Sequence, residues 1–156
     1  MNISKNTKKK MRKIYLAKNT SSKDLLDEVL RLNGIFNYEL RYNDHGKPYL
    51  KGGELFFNLS HSGEYTACAI SDREIGLDIQ KIGLKKHAMR KVCTPEELAQ
   101  IKTAEDFTRI WAIKESYAKA KGLGIGIGLK DINSVTLGDV EVWEWDDYIV
   151  ACYNEG

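Results

Sequence analysis

The 156-residue sequence has only three cysteines and two prolines, and it lacks a long apolar run. Cys68, Cys93 and Cys152 are far apart and have no CxxC spacing, so they indicate reduced thiols and neither a disulfide framework nor a zinc site. No apolar run approaches the roughly 20 residues of a membrane span, and the N-terminus has too short an apolar stretch for a signal peptide. We therefore expect a cytoplasmic protein without a membrane partner.

Charge of one sign is missing from each end of the chain. Residues 1–23 hold eight Lys or Arg and no acid, whereas residues 131–156 hold seven acids and no base. The formal net charge of +2 hides this asymmetry. A basic head can bind an anion, but here it lacks interleaved aromatics and a recognition motif. A nucleic-acid-binding protein is therefore the weaker alternative, and we expect no nucleic-acid partner.

An apolar content of 42% favours one globular domain, and the order of local patterns predicts an α+β fold. The predicted strands are 13–17, 38–42, 55–59, 65–71, 74–79, 134–137, 140–145 and 148–153. The predicted helices are 23–33, a basic segment at 81–93, one that begins with a capping box at Thr94, and 105–121. Residues 60–64 and 122–128 are predicted loops, and residues 1–12 are predicted to be flexible.

One predicted strand contains a carboxylate. In GLDIQ, the alternation of strand side chains puts Leu77 and Ile79 on one face and Asp78 and Gln80 on the other. An ionised carboxylate in an apolar strand is costly unless a cation or hydrogen-bond donors satisfy it. Two interpretations stay open: Asp78 caps a loop or pairs with a nearby lysine, or it binds a hard metal ion such as Mg²⁺.

The predicted helix 105–121 carries a stripe at i, i+4, i+8 and i+12, formed by Phe107, Trp111, Glu115 and Lys119. Because the two aromatics need burial, the stripe predicts that Glu115 and Lys119 lie at the rim of the core. Glu115 followed by Lys119 also has the favourable orientation for an i,i+4 ion pair. The pair is either a solvated surface pair or part of a functional site, and the buried stripe favours the second interpretation.

The segment 58–65, NLSHSGEY, places a serine next to a histidine. Neighbouring side chains of an extended segment point to opposite faces, so Ser60 and His61 do not form a nucleophile–base pair with each other. The sequence also has no G-x-S-x-G motif, which argues against a hydrolase. The segment is either an ordinary hairpin turn or a polar loop that donates hydrogen bonds to phosphate oxygens.

The order of three elements resembles the motifs of the 4'-phosphopantetheinyl transferase superfamily: FNLSHSGEYTACAIS (57–71), IGLDIQ (75–80) and FTRIWAIKESYAKAKGLGI (107–125). Together with GKP at 46–48, they are similar to the larger, surfactin-synthetase-activator type. The resemblance spans residues 46–125, and W-x-x-K-E-S-x-x-K is its most specific element. It implies a single domain, residues 1–156, built as a pseudo-dimer of two small α+β halves. The first half, 13–71, would be abbreviated, the second would be 72–156, and coenzyme A would bind in the cleft between them.

The resemblance also implies a reaction. The family transfers 4'-phosphopantetheine from coenzyme A to a serine of an apo acyl or peptidyl carrier protein, with Mg²⁺, and releases adenosine 3',5'-bisphosphate. Asp78 and Glu115 would bind Mg²⁺, and Glu115 would be the general base toward the carrier serine, directly or through a water. Lys119 would stabilise charge on the pyrophosphate and the leaving group. The other ligands of the coenzyme A phosphates would be Lys47, Ser60 and His61.

Two departures from the family pattern leave an alternative open. The type usually has a glutamate two residues after the motif aspartate, whereas this chain has Gln80, whose amide oxygen can face the metal but adds no charge. Only 45 residues precede GKP, fewer than in the larger type, so we expect a shortened first half. Lys8–Lys13 or Lys23 would then replace a missing phosphate clamp. The alternative is a catalytically weakened member that binds coenzyme A or a carrier protein without efficient transfer.

The segment 81–91 is rich in basic residues. In a generic chain it would be a solvated helix face. Carrier proteins are typically acidic, and in this family the stretch after the aspartate motif lies near the carrier. We therefore predict a carrier-docking surface, in which charge steers the encounter. Its residues are Lys81, Lys85, Lys86, Arg90 and Lys91.

Overall fold

The computed structural model describes residues 11–53, 55–123 and 128–155. Its strands are β1 (Arg12–Lys18), β2 (Leu40–Tyr42), β3 (Pro48–Leu50), β4 (Phe56–Ser62), β5 (Tyr65–Ser71), β6 (Ile75–Lys81), β7 (Val140–Trp145) and β8 (Tyr148–Asn154). Its helices are α1 (Ser22–Leu32), α2 (Lys86–Val92), α3 (Pro95–Gln100) and α4 (Ala104–Lys121), with a 3-10 helix at Leu129–Asp131. This content confirms the α+β prediction. The predictions for residues 1–10 and for the loop positions 124–127 lie outside the described residues.

Two antiparallel sheets organise the described part of the chain. The first sheet has the strand order β1-β5-β4, and the second sheet has the order β6-β8-β7. In the first sheet Cys68 of β5 lies opposite both Tyr15 of β1 and Leu59 of β4. Strands β2 and β3 form a separate short hairpin. None of the described helices combines the length and the hydropathy that crossing a membrane requires.

The two sheets pack face to face, and each carries a helix on its outer face. On one face of β5, Cys68 and Ile70 pack against α1. On the other face of β5, Ala67 and Ala69 pack against β6 and β8 of the second sheet. The opposite face of β8 packs against Ala112 of α4. The layer order is therefore α1, first sheet, second sheet, α4, which follows from the alternation of side chains along β5 and β8.

Helix α4 has well-defined ends and lies very close to β6. The side chains of Thr103 and Asp106 form a capping box at its start, and Gly122 ends it in the left-handed conformation with φ = 64°. A side chain at Gly76 of β6 would overlap the backbone of Ser116 in α4. The glycine thus allows the helix to approach the strand that carries Asp78.

One predicted strand is wrong. Residues 134–136 form a turn, in which Asn133 accepts hydrogen bonds from the N–H of Val135 at 3.0 Å and from the N–H of Thr136 at 3.3 Å, and residue 137 has no regular structure. The side chain of Val135 is 67% exposed, so no sheet buries it. The turn chemistry of asparagine therefore outweighs the β-propensity of Val135 and Thr136.

The predicted loop at 60–64 is also wrong for its first half. Strand β4 continues through Ser62, and the turn to β5 is confined to Gly63 and Glu64. Gly63 has φ = 55°, which makes this tight turn possible. The serines that indicated a loop, Ser60 and Ser62, are instead strand residues whose side chains accept hydrogen bonds from the second sheet.

The three cysteines are buried free thiols in separate packed regions. Burial raises the pKa of Cys68 and of Cys152 to about 12, and it raises the pKa of Cys93 above its usual value. Thiols in such surroundings stay protonated at neutral pH and are poor nucleophiles. The cysteines therefore contribute packing.

Candidate active site

The two sheets meet along their edge strands β4 and β6, where polar side chains take the place of a backbone ladder. Three side chains that alternate along β4 each accept a hydrogen bond from a backbone N–H of β6. The pairs are Leu77 N–H to Asn58 Oδ1 at 2.9 Å, Ile79 N–H to Ser60 Oγ at 3.1 Å, and Lys81 N–H to Ser62 Oγ at 3.0 Å. We call this row the β4–β6 seam. Because both strands have a period of two, the seam fixes the register of β6, and with it Asp78, against β4.

Asp78 lies within the seam and is only 5% exposed. Its Oδ1 accepts a hydrogen bond from Ser60 Oγ at 3.3 Å, and its Oδ2 accepts one from Gln80 Nε2 at 2.8 Å. Burial, together with the smaller effect of the Glu115 charge, raises the pKa of Asp78 to about 7 against the opposing effects of Lys119, Gln80 and Ser60. The ionised carboxylate is thus under-compensated by the protein, which is the condition in which a bound cation is favourable.

Lys119 spans the seam from α4. Its Nζ donates to the carbonyl oxygens of Leu59 in β4 and Leu77 in β6, both at 2.8 Å, and lies 4.0 Å from Asp78 Oδ1. Burial lowers the pKa of Lys119, whereas the negative charges of Asp78 and Glu115 raise it. Among the described residues, Lys119 forms no ion pair with Glu115, because its side chain turns toward the seam.

Glu115 is held from its own helix. Its Oε1 accepts a hydrogen bond from the indole N–H of Trp111 at 3.1 Å, and the Trp111 ring packs against the buried Phe107. The structure therefore confirms the stripe along α4. Lys85, from the predicted docking segment, lies 4.8 Å from the centroid of the Trp111 ring. The sequence did not assign Trp111 a role, although its i,i+4 spacing to Glu115 is a signal that could have done so.

The GKP motif contributes to a cavity beside Lys119. Lys47 Nζ donates to Glu74, to Ile75 O at 3.1 Å and to Ala120 O at 3.2 Å, so its donors are used within the protein. The cavity has a volume of about 230 Å³, and its lining is His45, Gly46, Lys47, Pro48, Asn58, Leu59, Lys119 and Gly122. Sequence reasoning missed His45 and Asn58. Asn58 carries a signal, since N-x-S-x-S alternates within an otherwise apolar strand.

His61 lies apart from this cavity. It is exposed on β4, on the opposite side from the buried Ser60, and lines a second cavity of about 360 Å³ with residues 19–22 at the start of α1. The predicted coenzyme A ligands are therefore distributed: Lys47 is beside Lys119, Ser60 is bound to Asp78, and His61 faces another opening. Their roles stay predictions. The five basic residues of the predicted docking segment are all exposed.

The donor set at the seam fits a hard divalent cation. Asp78 and Glu115 provide only oxygen donors, and Gln80, whose nitrogen faces Asp78, retains its amide oxygen for a ligand. Within residues 11–53, 55–123 and 128–155, no group of three or more His, Cys, Asp or Glu side chains is placed to hold a metal ion. Mg²⁺ does not need one, since it usually takes one or two carboxylates and completes its shell with waters and phosphate oxygens.

Comparison with known proteins identifies the family. A sequence model of the 4'-phosphopantetheinyl transferase superfamily matches residues 74–150. The chain is 32% identical to 4'-phosphopantetheinyl transferase Sfp of Bacillus subtilis (strain 168), in an alignment that covers 97% of the chain and 75% of the relative. It is 36% identical over 98 residues to 4'-phosphopantetheinyl transferase gsp of Aneurinibacillus migulanus. The chain therefore belongs to the 4'-phosphopantetheinyl transferase superfamily, and its likeness to Sfp and gsp supports the surfactin-synthetase-activator type.

The extent of these matches differs among relatives. The alignment with gsp covers 58% of this chain and 41% of the relative. A match to an L-aminoadipate-semialdehyde dehydrogenase-phosphopantetheinyl transferase of Xenopus laevis, at 35% identity, covers 56% of this chain and 36% of the relative. The chain thus spans less than half the length of these two relatives. Membership of the family is established, whereas the activity of this chain is an inference.

Proposed function

We propose that this protein transfers the 4'-phosphopantetheine group from coenzyme A to a serine of an apo carrier protein, in a reaction that requires Mg²⁺. The observation that carries the proposal is the convergence of Asp78 from β6 with Glu115 and Lys119 from α4 at the β4–β6 seam. We further propose that residues 13–71 and 72–156 are the two halves of a pseudo-dimer, with coenzyme A between them. The reduced, buried cysteines favour a cytoplasmic location.

Asp78 and Glu115 would hold the metal ion, with Gln80 contributing its amide oxygen. When bound, Mg²⁺ neutralises charge on the pyrophosphate oxygens of coenzyme A. Lys119 is suited to the same anion, because its two hydrogen bonds go to neutral carbonyl groups and Asp78 Oδ1 lies 4.0 Å from its Nζ, beyond hydrogen-bond distance. The cavity of about 230 Å³ beside Lys119 is a place for part of coenzyme A, and the GKP motif lines it.

The chemical step forms a bond between the serine Oγ of the carrier and the phosphorus attached to pantetheine, and breaks the pyrophosphate P–O bond to that phosphorus. Glu115 accepts the serine proton, directly or through a water, and its orientation is held by the Trp111 indole N–H. Adenosine 3',5'-bisphosphate leaves, and Lys119 stabilises the negative charge that develops on it. Positioning and charge neutralisation thus supply most of the catalysis, as in other phosphoryl transfers.

The carrier protein would dock on the exposed basic segment that includes α2. Lys86, Arg90 and Lys91 lie on this helix or at its end, and Lys85 lies against Trp111, the residue that holds Glu115. An acidic carrier would therefore meet positive charge next to the proposed general base. Charge complementarity of this kind mainly accelerates association.

Mass measurement tests the proposal. The protein is incubated with coenzyme A, Mg²⁺ and each of several apo carrier proteins from fatty-acid, polyketide and peptide synthesis. We expect at least one carrier to gain the mass of phosphopantetheine, and Glu115→Gln to abolish the gain. If no carrier is modified while a known transferase modifies all of them, the proposal is wrong.

A second candidate, favoured by Gln80, is a protein that binds coenzyme A or a carrier without efficient transfer. The amide nitrogen of Gln80 donates to Asp78, and the side chain brings no negative charge to the metal ligands. A metal site with one fewer carboxylate binds Mg²⁺ less tightly. Retained binding of coenzyme A, measured by calorimetry in a protein that modifies no carrier, would support this candidate.

A further inference from the structure

A buried ion pair lies on α4 next to the proposed general base. Lys114, the residue before Glu115, has no exposed surface, and its partner Glu97 in α3 is 1% exposed. Lys114 Nζ donates to Glu97 and to the carbonyl oxygen of Val92 at 2.7 Å. Glu97 also accepts hydrogen bonds from the N–H of Thr94 at 2.8 Å and from the hydroxyl of Ser134.

Lys114 joins α4 directly to Val92 and to Glu97. Ser134 is joined to α4 only through Glu97, and the bond between Thr94 and Glu97 lies within the capping box of α3. Val92 is the last residue of α2, Thr94 and Glu97 lie at the start of α3, and Ser134 belongs to the turn after the 3-10 helix. In the described part of the chain, no buried side-chain nitrogen or oxygen is left without a partner. The cluster therefore satisfies its own polar atoms and needs no ligand.

The hydrogen bonds of the cluster are directional, unlike the apolar contacts around them. Val92 and Cys93 pack on Phe107 of α4 through apolar contacts, which have no preferred direction. Burial alone raises the pKa of Glu97, but the hydrogen bonds from Lys114 and Ser134 outweigh it and the pKa lies below its usual value. Glu97 is thus ionised at neutral pH, and a charged hydrogen bond has one preferred geometry. Apolar residues of the same volume often serve stability equally well, so a buried ion pair at this place points to a role in orientation.

We propose that the Lys114–Glu97 ion pair is a positioning device that sets the basic docking surface on α2 relative to Glu115. This inference rests on the proposed function and adds to it. Helix α2 carries Lys86, Arg90 and Lys91, and its last carbonyl is bound by the residue that precedes the general base. A carrier docked on α2 therefore has its serine placed against Glu115 through Lys114. Loss of the pair weakens productive carrier binding and leaves coenzyme A binding unchanged.

Glu97→Gln tests this proposal, with Glu96→Gln as the matched control. Glu96 lies on the same turn of α3 and is exposed, so the control makes the same charge change outside the cluster. We expect Glu97→Gln to raise the KM for the carrier about tenfold, with the KM for coenzyme A within about twofold of wild type. Amide hydrogen exchange in residues 86–100 of the free protein should accelerate, while exchange in α1 stays unchanged. A merely structural role would raise both KM values together or change neither.

A second variant covers the case in which Glu97→Gln does not fold. Lys114→Met/Glu97→Met removes both charges at similar volume, and we expect it to fold. It should show the same rise in carrier KM, because the directional bonds are absent. An unchanged carrier KM in this folded variant, or equal effects of Glu97→Gln and Glu96→Gln, would overturn the proposal. If the wild-type protein modifies no carrier, the proposed function fails, whereas hydrogen exchange in residues 86–100 still tests the positioning device.

Discussion

Lys114 and Lys119 lie five residues apart on α4, and both are removed from solvent in different ways. Lys114 is completely buried and paired with the carboxylate of Glu97. Lys119 has a side chain that is 29% exposed, donates to two backbone carbonyls, and lies 4.0 Å from Asp78. The first charge is neutralised by the protein, and the second is held mainly by neutral dipoles. A lysine of the first kind orients its surroundings, whereas one of the second kind retains charge for an anionic ligand.

The neighbouring carboxylates show the same contrast. Hydrogen bonds from Lys114 and Ser134 lower the pKa of Glu97, whereas burial raises the pKa of Asp78 to about 7. The Glu97 carboxylate accepts a hydrogen bond from a cation, whereas the Asp78 carboxylate accepts hydrogen bonds from neutral groups and has its cation, Lys119, 4.0 Å away. This difference in compensation, and not burial alone, separates the structural pair from the candidate active site. Four substitutions test this comparison, and they are given in order of decreasing expected effect.

Lys114→Met should disrupt the buried Lys114–Glu97 ion pair. It leaves the Glu97 charge buried without its main partner, so we expect the free energy of unfolding to fall by about 3–5 kcal/mol. Urea denaturation measures the loss. Lys114→Met/Glu97→Met is the control and should recover most of the stability. A loss below about 1 kcal/mol for the single variant would mean that Glu97 finds compensation elsewhere.

Lys119→Met should reduce the transfer rate strongly and the stability only slightly, the reverse of what we expect for Lys114→Met. We expect the transfer rate to fall by about 10²–10³, because charge on the pyrophosphate is no longer stabilised. The stability should fall by only about 1–2 kcal/mol, from the two carbonyls that lose a donor.

Initial rates and urea denaturation measure the two effects of Lys119→Met. Lys121→Met is the control. Lys121 lies two residues further along the same helix, and its Nζ is 2.5 Å from Glu155 Oε1, in a pair that is not part of the seam. The control should keep the wild-type rate. A larger loss of stability for Lys119→Met than for Lys114→Met would remove the distinction between the two lysines.

Gly76→Ala should disturb the packing of α4 on β6, which places Lys119 at the seam. The added Cβ would overlap the backbone of Ser116 and push α4 from β6, at a cost of about 1–3 kcal/mol in the free energy of unfolding and with reduced transfer. Gly83→Ala is the control, because a Cβ there meets only Lys81 O at 3.9 Å. Thermal unfolding and transfer rates compare the two variants, and equal behaviour would show that the close approach of α4 is dispensable.

Gln80→Glu should strengthen Mg²⁺ binding at the candidate active site, because it adds one negative charge next to Asp78. We expect transfer to be retained and the Mg²⁺ concentration for half-maximal rate to fall roughly threefold or more. Gln100→Glu, at the exposed end of α3, controls for the change in net charge. A complete loss of transfer would instead show that the Gln80 amide has a task, such as holding Asp78, that a carboxylate cannot perform.

Local patterns predicted most elements of the fold. The capping box at Thr94, the stripe on α4 and the helix end at Gly122 all depend on residues within about four positions of one another, and the structure confirms each. The strand predicted at 134–137 failed because the turn bonds of Asn133 outweigh β-propensity. The loop predicted at 60–64 failed only over 60–62, because residue preferences do not show which strand a segment meets. Ser60 and Ser62 look like turn residues until β6 is placed beside them.

Local sequence patterns were sufficient for the α+β content, for the bounds of α1 and α4 to within one residue, and for the three motifs that mark the family. The helical segment predicted at 81–93 is wrong for its first five residues, because β6 extends to Lys81 and α2 begins only at Lys86. The tertiary structure decided which side chains meet. The contact of Lys119 with Leu59 joins residues 60 positions apart, and the pairing of Lys114 with Glu97 crosses 17 positions. No local period specifies such distances, because they follow from the packing of two sheet edges and of α3 on α4. That packing puts Lys114 in direct contact with a carboxylate, whereas Lys119 donates to two carbonyl oxygens and has its carboxylate 4.0 Å away. This difference separates the positioning residue from the proposed catalytic one.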